Sequence, residues 1–235
     1  MKKFWMILVV VLVLAGMVLS MLSTFRGGAR PQATDTTAET ETAGSSETQA
    51  AEQCVQAFLK DLGQGDPQAA YAQCSENVQD GLGLKDSHVR FLDSLKDAGE
   101  AQRKSALELQ QFQLKAQFST WSIVNSEEKD ADTVYVTADI RGRTAENISS
   151  AIENAGLDKK LEEWQDKNID HLNQVYTDEG EEAMTKLIEE EYQKLVLEAG
   201  KEAVQAAPTE EGALRFTVSK QDDAWKITAI QGASA

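Results

Sequence analysis

Three kinds of residue are scarce in this chain, and each scarcity closes off a class of function. Cysteine occurs twice, at Cys54 and Cys74, and histidine twice, at His88 and His171. There is accordingly no C-x-x-C pair and no H-E-x-x-H helix, and the sequence also lacks an EF-hand loop and a glycine-rich loop that would cradle phosphate. The two histidines stand far apart without an acidic partner at ligand spacing, and both read as surface residues. The run Glu189-Glu190-Glu191 fans out along one helix, whereas Ca²⁺ needs oxygens that converge, so it reads as a solvated face. No metal and no cofactor is expected. Basic residues are the third shortage, 23 against 39 acidic ones. Four of them (Lys2, Lys3, Arg26, Arg30) flank a single apolar run, which leaves 19 basic against 39 acidic residues beyond it, a net of −20. Such a surface repels phosphate backbones and anionic headgroups, which excludes nucleic acid as a partner and argues against peripheral membrane binding.

What is present begins with that apolar run, Phe4 to Phe25, which contains no charge and is long enough to span ~30 Å of hydrocarbon as a helix. The lysines before it favour the amino end inside. The expectation is a single-pass transmembrane anchor over residues 1–26, with a signal peptide cut after Val18-Leu19-Ser20 as the alternative. No cysteine ends the run, which excludes a bacterial lipoprotein anchor. Residues 27–49, rich in Thr, Glu and Ser, read as a disordered, extended linker. Residues 50–235 are the folded domain, expected outside the cytoplasm at the cell membrane. Its expected partners are the membrane itself, through residues 4–25, and an unknown envelope protein or small ligand.

Within the domain, Ala51, Cys54, Val55, Phe58, Leu59 and Leu62 fall on one helical face that ends at Gly63. Asp66-Pro67 is an N-cap followed by proline at the first helical position, so a second helix starts there and carries Ala70, Tyr71 and Cys74 inward. A third helix, from about Ser87, turns Val89, Leu92 and Leu95 inward, and residues 101–113 remain helical. The period then changes to two. Leu114–Val124 and Thr133–Arg143 read as one hairpin, and the segments around Leu214, Phe216 and Val218 and around Trp225, Ile227 and Ala229 as another. Between the hairpins, residues 144–208 read as helix throughout, with one apolar stripe through Trp164 and another through Leu187. The fold class is therefore α+β: a four-stranded antiparallel sheet packed on N-terminal helices, with a long helical insertion between its hairpins.

The opening VQAFLKDLGQGDPQAAYAQCSEN and the closing DDAWKITAI resemble a nuclear-transport-factor-2-like, cystatin-like α+β domain. They are most similar to exported domains of this kind in uncharacterised Gram-positive cell-envelope proteins. The resemblance covers residues 50–143 and 209–232 and implies a curved sheet wrapped around helices to form a cone with a pocket. The missing lipobox cysteine and the 65-residue insertion depart from that pattern. The resemblance implies that, as in some enzymes of the superfamily, a carboxylate or histidine and a tyrosine inside the cone could do acid–base work, and the candidates here are Tyr71, Tyr135 and Asp139. Asp139, two residues from Arg141 on one strand face, reads as half of an exposed ion pair, and no motif carries family catalytic residues onto this chain.

Function is expected to be non-catalytic, a binding or structural module of the cell envelope. The alternatives are a small-molecule hydrolase or isomerase in the cone and a regulatory subunit that docks a partner through the insertion. Two local expectations accompany these. Cys54 and Cys74 lie about ten positions either side of the helix break at 63–66, so an antiparallel helix pair brings them level. A disulfide there would be worth about 3 kcal/mol, the alternative being two buried thiols. The insertion's two stripes satisfy each other as a helix pair that caps the sheet's second face or the cone mouth, with Trp164 buried at the contact. The alternative is a projecting arm.

Overall fold

The computed structural model describes residues 45–233. Helix α1 (Ser46–Gly63) is capped by Ser45, whose hydroxyl accepts from the Thr48 amide. Thr48 in turn donates to Glu128 Oε1 at 2.9 Å, which ties the start of the helix to the sheet. Ser45–Gln49, the end of the expected linker, are therefore the helix's cap and first turn, while residues 27–44 of that linker lie outside the described residues. The membrane-spanning reading is corrected here: no helix among the described residues is long and apolar enough to cross a membrane. The 4–25 stretch on which that reading stood lies outside them.

The sheet has five strands, not four, and is mixed, in the order β1-β5-β4-β3-β2. Asp66 and Pro67 do start a second helix, α2, but it ends after five residues (Pro67–Tyr71), and the chain continues as β1 (Cys74–Asp80). β1 runs parallel to β5 (Ala224–Gly232), with Cys74 opposite Ile227. Cys74 is thus on a strand and not on a helix facing Cys54. β2 (Thr120–Asp130), β3 (Thr133–Arg143) and β4 (Thr209–Gln221) complete the sheet in antiparallel register. The alternation along β3 and β4 turns Val134, Val136, Ala138, Leu214, Phe216 and Val218 to one face, where α1 lays Val55, Phe58, Leu59 and Leu62 on them. Each large apolar side chain buried this way is worth about 1.5–3 kcal/mol. Phe58 meets the Phe216 ring edge-on at 5.8 Å.

Two helices follow β1 and differ from the sequence reading in phase and extent. In α3 (Leu84–Ser94) the buried stripe runs through Leu84, Ser87 and Phe91 to Leu95 just beyond, while Val89 is 52% and Leu92 43% exposed. The stripe is rotated by one position because Phe91, the bulkiest apolar residue there, takes the interior place. Helix α4 (Glu100–Gln117) extends past the expected strand start, and Leu114 enters the core from a helix. Its end lies hard against β3: a Cβ on Gly142 would stand 1.7 Å from the Gln117 carbonyl oxygen, a gap only glycine allows.

The insertion is four helices: α5 (Ala145–Glu153), α6 (Leu157–Lys167), α7 (Ile169–Glu179) and α8 (Glu181–Ala206). It does not cap the sheet's second face. The second half of α8 packs along α4, with Gly200 against Leu109 and Lys201 bonded to Glu108 at 2.5 Å. Ile148 and Ile152 of α5 close that seam over Ala203 and Val204. α6 and α7 pack mainly on α8 and on each other. Leu161 is the one buried residue of α6 and Leu172 that of α7, while Trp164 is half-buried. The first half of α8 buries nothing before Tyr192. α7 and this half of α8, joined at Gly180, form a hairpin at the outer edge of the helical layer.

Candidate functional site

The residues singled out from the sequence separate into three places. The first is interior. Tyr71, the last residue of α2, packs edge-on to Phe58 at 5.5 Å and donates its hydroxyl to Asp80 Oδ2 at 2.5 Å. Asp80, at the end of β1, also accepts from the Leu82 and Lys85 amides at 3.0 Å each. The carboxylate thereby acts as an anchor for the start of α3, whose own N-cap, Gly83, has no side chain to offer. Burial, then the charge and hydrogen bond of Asp80, hold the Tyr71 phenol well above its usual range, so it stays protonated. Its proton is directed at Asp80, and three donors already occupy the carboxylate. This pair ties the end of α2 to the start of α3 and offers no uncommitted acid or base. The sequence reading missed Asp80; the signal was an aspartate followed by glycine just ahead of a helix.

The two thiols lie beside this pair. Cys54 and Cys74 are free and buried, so the expected disulfide is absent. The Cys54 thiol donates to the carbonyls of Trp225 at 3.3 Å and Gln73 at 3.7 Å. Burial pushes both thiols up, Cys74 to about 12, with the neighbouring Cys54 and Asp80 charges adding to it. Buried, protonated thiols are poor nucleophiles, and their part here is packing.

The second place is the sheet face turned away from α1. Tyr135 is half-buried there under the Arg215 guanidinium, 4.0 Å from the ring centroid, with Lys129 at 5.6 Å. Asp139 is exposed on the same strand face, but the ion pair there differs from the expected one: Arg141 reaches Glu211 across the ladder at 4.0 Å. The alternation of β3 puts Tyr135 and Asp139 on the face opposite the Phe58 core that holds Tyr71, and the three do not converge.

The third place is the insertion. Trp164 sits on α6, and on α7 Ile169 and Tyr176 are each 53% exposed. They are seven positions apart, two turns of one face, and Leu172 lies on the adjoining buried face. Ile169 lies outside the apolar stripe that the sequence spacing gives, which runs through Leu157, Leu161, Trp164, Leu172, Val175 and Tyr176. His88 is not a free surface residue: it is half-buried against Gln110, and burial lowers its affinity for a proton. Among the described residues no group of three His, Cys, Asp or Glu side chains is placed to hold a metal ion.

No family model and no curated protein matches this chain. Among solved structures it is similar to an NTF-2-like protein of unknown function from Shewanella oneidensis MR-1. The two share 10% identity with a TM-score of 0.37, over 79% of this chain and 97% of that one. A ketosteroid isomerase-like protein from Erwinia carotovora atroseptica SCRI1043 is similar at 9% identity and a TM-score of 0.36, over 82% of this chain and 100% of that one. Neither likeness carries a function over to this chain.

Proposed function

We propose that this chain is a non-catalytic binding module that engages a protein partner through the outer hairpin of its helical insertion. The observation that carries the reading is the unequal seating of the insertion. Its inner helices, α5 and the second half of α8, are locked to α4, while α7 leaves Ile169 and Tyr176 half in solvent. A connection between β3 and β4, adjacent in the sheet, needs only a few residues. A helical connection far longer than the joint requires, and lying off the sheet, serves contact with something else. The dispersal of Tyr71, Tyr135 and Asp139, and the commitment of the Tyr71 proton to Asp80, support the non-catalytic half of the reading.

Photo-crosslinking in living cells tests it. A photoreactive residue placed at 169, 173 or 176 should give adducts of one common size, and the same residue at Val89 or Val124, which are also exposed, should give none. Adducts that are indiscriminate, or absent from all five positions, overturn the reading.

A further inference from the structure

The chemistry of the partner can be read from what surrounds the apolar pair. Across residues 169–191, α7 and the first half of α8, there are eight acidic residues and a single lysine, Lys186. That lysine is already placed 3.9 Å from Glu190, and Lys194, just beyond the hairpin, lies 3.0 Å from Glu191, so these two pairs take up two of the eight carboxylates. α7 itself carries Asp170, Asp178 and Glu179, all exposed, and no lysine or arginine. Ile169 and Tyr176 therefore form an apolar stripe inside an acidic frame, with Val175, Met184, Leu187 and Ile188 half-buried in the same hairpin.

A second copy of this chain does not fit that stripe, because a two-fold contact would set acidic α7 against acidic α7. Anionic lipid and nucleic acid are repelled for the same reason. A partner that fits supplies apolar side chains spaced to match about 10 Å, the distance from Ile169 to Tyr176 along the helix, and lysine or arginine on either side. Apolar residues at i and i+7 of an α-helix have that spacing. We infer that the α7–α8 hairpin docks a basic amphipathic helix of a partner protein, with Ile169 and Tyr176 as apolar anchors and the flanking carboxylates as the charge that selects it. This rests on the docking function proposed above and adds the identity of the partner surface.

The test uses the full chain and fluorescent synthetic helices, read by anisotropy. One peptide has leucines along a single face and lysines elsewhere; a second has the same composition with the leucines scattered; a third keeps the leucine face but replaces lysine with glutamate. The first should bind, and binding should weaken as salt screens the carboxylates. Ile169→Ser combined with Tyr176→Ser should weaken it at least about tenfold, while Val89→Ser with Leu92→Ser should leave it unchanged. Both pairs are exposed, and an unaltered denaturation midpoint shows that each variant is folded. If the scattered peptide binds as well as the first, or the Val89 and Leu92 variant loses binding equally, the proposal is overturned. If the glutamate peptide binds as tightly as the lysine one, docking stands and the basic partner fails. If no peptide binds, the basic helix fails as the occupant, and the crosslinks at 169, 173 and 176 decide whether docking itself stands.

Discussion

The sheet-and-α1 body and the α7–α8 hairpin hold similar apolar residues in opposite ways. In the body, Val134, Val136, Phe216 and Val218 are sealed between neighbouring strands and under α1, with no solvent contact. In the hairpin, Leu172 alone is buried along α7, and nothing is buried along α8 before Tyr192. The hairpin is nonetheless not independent of the body, because α8 is one uninterrupted helix of 26 residues, about 39 Å long. Its second half is fixed between α4 and α5, and its first half is held out by that continuity. The body is stable through burial and the hairpin through being an extension of something buried. The two should respond differently to the same kind of damage.

Phe58→Ala sharpens the contrast most strongly. Phe58 is fully buried and touches both Tyr71 and Phe216, so its removal should cost about 3–5 kcal/mol and lower the denaturation midpoint of the whole domain. Leu172→Ala removes an equally apolar but peripheral side chain. It should cost about 2 kcal/mol, the low end for a buried leucine, with the loss confined to faster amide exchange over residues 157–191 while β3 amides keep their protection. If β3 exchange rises in parallel, the hairpin and body are one cooperative unit and the contrast breaks. The smallest effect concerns His88. Its pKa lies below the ordinary 6.5 because it is buried, against the pull of Gln110 and Asp66. The unfolded chain therefore takes up the proton first, and stability should fall as pH drops from about 7.5 through 6.5 towards 5.5. Urea midpoints should show this decline in the wild type and lose most of it in His88→Gln; a decline that persists unchanged assigns it to other groups.

Much of the fold was legible wherever one face of an element is buried and the other is wet. β3 announces itself because Val134, Val136, Ala138 and Ile140 alternate with polar residues, and the structure buries those four. β1 was illegible: Cys-Ser-Glu-Asn-Val-Gln-Asp has only Cys74 and Val78 as apolar members, which suits an edge strand but signals nothing locally. In α3 the expected stripe of Val89, Leu92 and Leu95 holds only at Leu95, because Phe91 takes the interior place and turns Val89 and Leu92 outward. The insertion's helices were evident from their period. Their seat on α4 was not, since it depends on a second buried face of α4, around Leu109 and Phe112, that serves partners far along the chain. The Tyr71–Asp80 bond joins a helix end to a strand end across β1, a tertiary pairing that no local spacing encodes.

The parallel pairing of β1 with β5 sets an order of assembly. Cys74 lies opposite Ile227, 153 positions later, and β5 separates β1 from the antiparallel strands. As the chain leaves the ribosome, β1 has no strand to join until β5 has emerged, and α1 has only part of its floor. Contacts of such long sequence separation slow folding, because the intervening chain must be closed before they form. A chain that stops short of Ala224 leaves an open edge on β4 and an unpartnered β1, two adhesive surfaces at once. β5 is thus the strand that joins β1 to the rest of the sheet, and a product that lacks it presents both unpaired edges to other chains.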